Sequence, residues 1–279
     1  MMKNFATLLL LSLLMATTAC KSEYDKLRSS GDVKLLTKKS LEYYEKGDYS
    51  KAQTLFELIM PSLKGQNILE EISYKYAYTH YYLRNYGSAN FYFKNFATTF
   101  GNSPLREDAE FQAAYAEYKQ SPTFRLDQGS SLKAIEGFQY FTNNFPESPR
   151  VKECNKLIDE LRKKMETKAF EEGQLYYNIS SYQASIQVFE NLLKDYPETS
   201  NAEEIRFLVL KAQYEFAKNS IYEKQLDRYK LVVEKHKDFT DKFPKSKHQK
   251  DAELYLKNAN NKIKEFNNNV RYQNQSARS

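Results

Sequence analysis

The sequence predicts an all-α chain built as a stack of about five helical hairpins. Three observations predict it. Gly and Pro are scarce, at 8 and 7 of 279 residues, so breaks between helices are few and short. A Tyr/Ala/Phe spacing recurs: Tyr49, Ala52 and Phe56 return 37 residues later as Tyr86, Ala89 and Phe93, and again as Tyr182, Ser185 and Phe189, with Ala134 and Phe138 carrying half of it in between. A second mark travels with the first, since Phe100, Phe145 and Tyr196 each lie 11 residues after Ala89, Ala134 and Ser185. Self-similarity at this period is the signature of units that bury their apolar faces only by stacking on neighbours.

The chain opens with an address. Met1-Met2-Lys3-Asn4 is a short basic start, Phe5 to Met15 is apolar apart from Thr7 and Ser12, and the small residues Ala16 to Ala19 lead to Cys20. The run is too short for a mature spanning helix, which needs about 20 residues, and suits a signal peptide over 1–19. A cysteine directly after it resembles a bacterial lipoprotein signal, in which Cys20 carries the lipid. Residues 20–32 are polar and read as a lipidated tether.

Each hairpin then follows from its breakers and apolar period. Val33 to Lys46 is helical, Gly47 ends it and Asp48 caps a helix that runs to Met60 before Pro61. The second hairpin pairs Glu70–Arg84, dense in Tyr, with Gly87–Thr99. The third pairs Leu105–Lys119 with Ser130–Asn143 across an enlarged loop at 120–130, a candidate contact site. Ser148 to Ile179 is one long helical run, and it joins an N-terminal subdomain (33–150) to a C-terminal one (151–266). Ser181–Asp195 completes the fourth unit. The fifth runs through Ala202–Lys218, Glu223–Lys242 and Lys247–Phe266, and 267–279 reads as a disordered tail.

Ser40, Ala77, Ala114 and Gly173 are the small residues where the first helix of each unit meets its partner. Residues one, four and five further on then face an inner groove. This places Tyr44, Tyr78, Tyr81, Tyr82, Tyr115, Tyr118 and Tyr177 on or beside it, with Tyr74 and Phe111 three residues before the small one. Some of these rings serve inter-repeat packing. The rest give contact area at low entropic cost, as a peptide groove requires.

The residues that would carry other chemistry are missing. His80, His236 and His248 are far apart in sequence, His80 at a core spacing and the other two in a basic surface stretch. No metal-ligand spacing, Gly-rich phosphate loop or nucleophile motif occurs, so neither an enzyme nor a cofactor is expected. The formal charge of +6 comes from interleaved Lys, Arg, Asp and Glu, and the most basic stretch, from Lys235 to Lys250, is diluted by Asp238 and Asp241. Nucleic acid is not an expected partner. Cys154 lies on a helical apolar stripe and reads as a small buried hydrophobe.

The Tyr/Ala/Phe pattern resembles tetratricopeptide repeats. With the lipoprotein-like start, the turns Phe145-Pro146-Glu147-Ser148 and Tyr196-Pro197-Glu198-Thr199, the segment from Glu153 to Arg162 and the insertion around Ser121-Pro122 and Leu126-Asp127-Gln128, the ordered set resembles the BamD family in its Bacteroidetes-type form. These are lipoproteins of the outer-membrane β-barrel assembly (BAM) machinery. The resemblance implies a superhelix of such repeats, palmitate at Cys20 and a place on the periplasmic face of the outer membrane. It also implies docking of the C-terminal repeats on the POTRA region of BamA, and capture of unfolded barrel proteins, through a C-terminal segment ending in an aromatic residue, by the N-terminal repeats. The alternative is a periplasmic repeat lipoprotein that coordinates other envelope or cell-wall machinery. A glycan-binding lipoprotein of the SusD kind is disfavoured by the absence of Trp.

Overall fold

The structure is a computed structural model that describes residues 22–276, with side chains described through residue 268. Cys20 and the signal segment 1–19 lie outside the described residues. Among those described there are twelve α-helices and no strand: α1 (Glu23–Arg28), α2 (Val33–Glu45), α3 (Tyr49–Ile59), α4 (Ile68–Tyr82), α5 (Tyr86–Thr99), α6 (Arg106–Gln120), α7 (Gly129–Asn144), α8 (Val151–Asn178), α9 (Tyr182–Asp195), α10 (Ala202–Lys218), α11 (Tyr222–Lys242) and α12 (Gln249–Ser276). A 3-10 turn, Met60–Leu63, carries Pro61 after α3.

The chain divides into two compact units. The first holds α1 to α7 and the start of α8, as far as Ile158; the second holds the rest, together with the loop Pro122–Gln128. Within the first unit α2 packs on α3, α3 on α4, α4 on α5, α5 on α6 and α6 on α7. Within the second, α9 packs on α10, α10 on α11, and α12 on both α10 and α11.

The recurring motif is the packing device of each hairpin. Ala52, Ala89, Ala134 and Ser185 are fully buried, and so are Phe56, Phe93, Phe138 and Phe189. Each such ring contributes on the order of 1.5–3 kcal/mol by leaving water. The opposing small residues Ser40, Ala77, Ala114 and Gly173 are buried as well. The reason is contact: a Cβ on Gly173 would lie 2.5 Å from the Phe189 ring, and one on Gly137 would lie 2.8 Å from the Ala114 Cβ. Ser185 stands in the alanine place at no polar cost, because its hydroxyl donates to the Gly173 carbonyl at 2.8 Å.

A second device closes each hairpin onto the one before. The turn residues Ser103, Ser148, Thr199 and Ser246 donate a backbone N–H to the aromatic three residues earlier, at 2.9–3.1 Å. Their hydroxyls donate to Glu70, Glu107, Glu166 and Glu203 at 2.5–2.7 Å. Those glutamates sit on the preceding hairpin's first helix. The same hydroxyls accept from the backbone N–H two residues on, at 3.0–3.2 Å, and so help start the next helix.

Several expectations change. Part of the segment read as a tether is helix α1, held by Tyr24, whose ring meets Tyr43 edge-on at 5.7 Å and whose hydroxyl reaches the Lys51 carbonyl. The last helix continues to Ser276, through most of the segment read as a disordered tail; with neither Gly nor Pro there, nothing in the sequence breaks it. His236 is not a surface residue but 8% exposed, with Nε2 3.2 Å from Glu253. His248 stacks on Phe207 at 4.0 Å and reaches Glu204 at 2.9 Å. His80 is a packed residue, stacked on Tyr92 at 4.7 Å. Cys154 is fully buried, and burial pushes its thiol up to about 11, which makes it inert.

The close approach at Gly173 gives a test. Gly173→Ala is expected to cost about 1–3 kcal/mol through overpacking against Phe189. Gly47→Ala has open space around its Cβ but a φ of +76°, so it should cost only about 1 kcal/mol in backbone strain. Denaturant unfolding that ranks the two the other way contradicts the packing account.

Candidate functional site

Seven of the tyrosines named from the sequence form one connected layer of rings in the first unit. Tyr44 lies 6.4 Å from Tyr82, Tyr82 lies 5.7 Å from Tyr78, and Tyr78 meets Tyr74 edge-on at 5.0 Å. Tyr78 and Tyr82 both approach Tyr81. Tyr81 stacks toward Tyr115 at 6.3 Å, and Tyr115 stacks on Tyr118 at 5.6 Å. The layer thus crosses α2, α4 and α6. It exists because these helices are sequence-equivalent: each places its aromatics at the same offset from a small residue, and the stacking of hairpins brings equivalent positions side by side.

Two further rings join it. Tyr49 stacks on Tyr82 at 4.3 Å, and Tyr86 meets Tyr81 at 5.6 Å. Sequence reasoning treated them only as motif markers, although their place at the start of each second helix puts them beside the last turn of the first. Tyr177, also expected at a groove, belongs to the second unit, where Lys211 lies over its ring at 4.8 Å.

The layer is not uniform. Tyr82 is exposed at 45%, whereas the other six are half-buried. Tyr74 and Tyr78 pack against Phe93 and converge on one carboxylate. Both hydroxyls donate to Asp108 Oδ2, that of Tyr78 at 2.5 Å. Asp108 Oδ1 is held at 2.7 Å by Arg150 Nη2, and the Arg150 guanidinium lies 4.3 Å from the Phe111 ring centre. Asp108 and Arg150 escaped the sequence reading because they lie 42 residues apart on different hairpins. Two lysines lie over the layer: Lys75 is 4.6 Å from the Tyr44 ring centre and paired with Glu45 at 2.7 Å, and Lys119 is 5.0 Å from the Tyr115 ring centre.

Burial raises the phenol pKa of Tyr44, Tyr74 and Tyr78, and the Asp108 carboxylate raises the last two further. Burial and neighbouring rings push Tyr81 up to about 12. At neutral pH the layer is therefore a set of uncharged rings with hydroxyl tips. Among the described residues no cluster of His, Cys, Asp and Glu suited to a metal ion occurs. A separate cleft of about 380 Å³, lined by Met60, Pro61, Leu69, Tyr76, Tyr92 and Phe96, contains none of the seven tyrosines.

The family described as "YfiO: Outer membrane lipoprotein" matches residues 30–231, most of the chain. The chain belongs to the YfiO outer membrane lipoprotein family. This is the BamD family that the sequence resembles, and it gives the chain an outer-membrane lipoprotein role. No curated protein matches the sequence. Among solved structures, the nearly identical TPR-like repeats of Podosopora anserina are 13% identical, with 77% of this chain and 97% of that one covered and a TM-score of 0.31. A thermophilic TPR protein of Thermus thermophilus is 16% identical, with 81% and 98% covered and a TM-score of 0.29.

The raised phenol pKa values give a pH test with a defined sign. A phenol whose folded pKa lies above the unfolded value of about 10 adds stability that is complete below that value. It is lost as the pH rises through the folded pKa. Unfolding midpoints should therefore decline from about pH 9, where the Cys154 thiol ionises in the unfolded chain, and more steeply above about pH 10, with absorbance of the buried tyrosines rising in step with unfolding. Ionisation of all tyrosines near pH 10 in the folded protein contradicts the burial described for Tyr44, Tyr74 and Tyr78.

Proposed function

We propose that this YfiO-family chain is a non-enzymatic assembly scaffold, fixed by lipid at Cys20 to the periplasmic face of the outer membrane. It helps β-barrel proteins to insert by binding unfolded barrel chains with its first unit and BamA with its second. The observation that carries the reading is the connected tyrosine layer across α2, α4 and α6. An extended segment with aromatic side chains offers rings and main-chain carbonyls. Tyrosine rings with hydroxyl tips match both, and their two rotatable angles are already fixed by ring-on-ring packing, so little entropy remains to be lost on binding.

The second unit supports the docking half of the proposal. The loop Pro122–Gln128 is fastened to α8 by Lys164, which donates to the Pro122 carbonyl at 3.0 Å, and by Lys168, which donates to the Leu126 carbonyl at 2.9 Å. It leaves Leu126 exposed, and α8 leaves Leu175 exposed on the same unit. Apolar residues held out on an ordered surface are what a folded partner covers.

Depletion of the protein should lower the outer-membrane levels of barrel proteins. Wild type should restore them, and a Tyr81→Ala/Tyr115→Ala variant expressed to the same level should not. Barrel levels that are unchanged by depletion would sink the proposal.

A further inference from the structure

The tyrosine layer divides by the fate of its hydroxyls. At one end the tips of Tyr74 and Tyr78 are spent on Asp108, whose second oxygen is spent on Arg150. At the other end the rings of Tyr81 and Tyr115 are half-buried, but among the described residues their hydroxyls donate to no protein acceptor and are not shut off from water. Their rings lie 6.3 Å apart and within 28° of parallel, on neighbouring hairpins. Alternate residues of an extended chain repeat at about 6.6 Å. Two near-parallel rings at nearly that interval can follow the repeat of such a chain, each beneath one of two alternate residues.

We infer that Tyr81 and Tyr115 read the main chain of an extended segment, each hydroxyl donating to one of two alternate carbonyls, while Tyr74 and Tyr78, locked by Asp108, contribute ring surface only. The inference rests on the proposal that this face receives unfolded polypeptide, and it adds how the recognition works. Main-chain donors tolerate many side chains, which a scaffold serving many barrel sequences needs. The lock has a role of its own. Were all the hydroxyls free, the layer would hold more unpaired donors than one strand edge can satisfy, and each unmatched donor would be desolvated at a loss. Asp108 is a positioning residue in this scheme: it fixes two rings and removes their tips from the competition.

The test measures binding of a fluorescently labelled synthetic peptide of alternating Val and Thr with a C-terminal Phe to the full chain. Tyr81→Phe and Tyr115→Phe keep the rings and remove only the hydroxyls. Each is expected to weaken binding about threefold to tenfold, with unchanged helical circular dichroism. Tyr74→Phe and Tyr78→Phe should leave affinity within about twofold while lowering stability, because they strip donors from Asp108 rather than from the peptide. Wild-type affinity in the Tyr81→Phe/Tyr115→Phe double variant overturns the inference, as does equal weakening by the Tyr74→Phe/Tyr78→Phe pair. If Tyr81→Ala/Tyr115→Ala also binds as wild type, or if the wild type does not bind the peptide, the underlying proposal for this face fails with it.

Discussion

A hydroxyl that reaches back to a glutamate one hairpin earlier holds the register on which the rest depends. It occurs at Ser103–Glu70, Ser148–Glu107, Thr199–Glu166 and Ser246–Glu203. Hydrogen bonds to charged acceptors contribute about 1.5–3 kcal/mol when well shielded, less where water competes. Their effect here is larger than their energy, because each fixes one end of the next hairpin's first helix. The buried Ala and Phe of the motif set how closely helices pack; the hydroxyl contact sets where along their length they align. Without that alignment Tyr78 would not come level with Asp108, nor Tyr81 with Tyr115.

The tyrosine layer follows as a by-product of repetition. Each hairpin uses a small residue and a following aromatic to pack, and equivalent positions recur along the stack. The rings of α2, α4 and α6 therefore meet whether or not a ligand is present. What makes the face more than packing is its asymmetry. Asp108 and Arg150 tie down one end through charge, and at the other Tyr82 is exposed while the half-buried Tyr81 and Tyr115 keep hydroxyls with no protein acceptor among the described residues. A surface that is rigid in its rings and open at its hydroxyls suits a partner that arrives unfolded and brings no shape of its own.

Much of this was legible in the sequence, and the reasons are specific. Ala52, Ala89, Ala134 and the phenylalanines four residues beyond them announce buried contacts because periodic packing leaves a periodic trace. The small residues Ser40, Ala77, Ala114 and Gly173 could be found from that trace, and the seven tyrosines from them. Asp108 and Arg150 could not, since a contact across 42 residues leaves no local mark, although His248 and Glu204 repeat it at the same offsets from Ser246 and Glu203. His236 was misplaced because its neighbours in sequence are charged, while its surroundings in space are α11 and α12. Helix α1 was hidden in polar residues, and only Tyr24 folding onto Tyr43 and Lys51 gives it a place. The face was legible, then, but not its division, because the hydroxyl partners are long-range.

The central claim is that the tyrosine layer is where unfolded barrel chains touch this protein. The most direct measurement places a photo-crosslinking amino acid at Tyr115, and in a second strain at the exposed Phe91 of α5, and identifies what each captures in living cells. The account predicts that barrel precursors crosslink at position 115 and not at position 91. Capture of the precursors at 91, with none at 115, would contradict it.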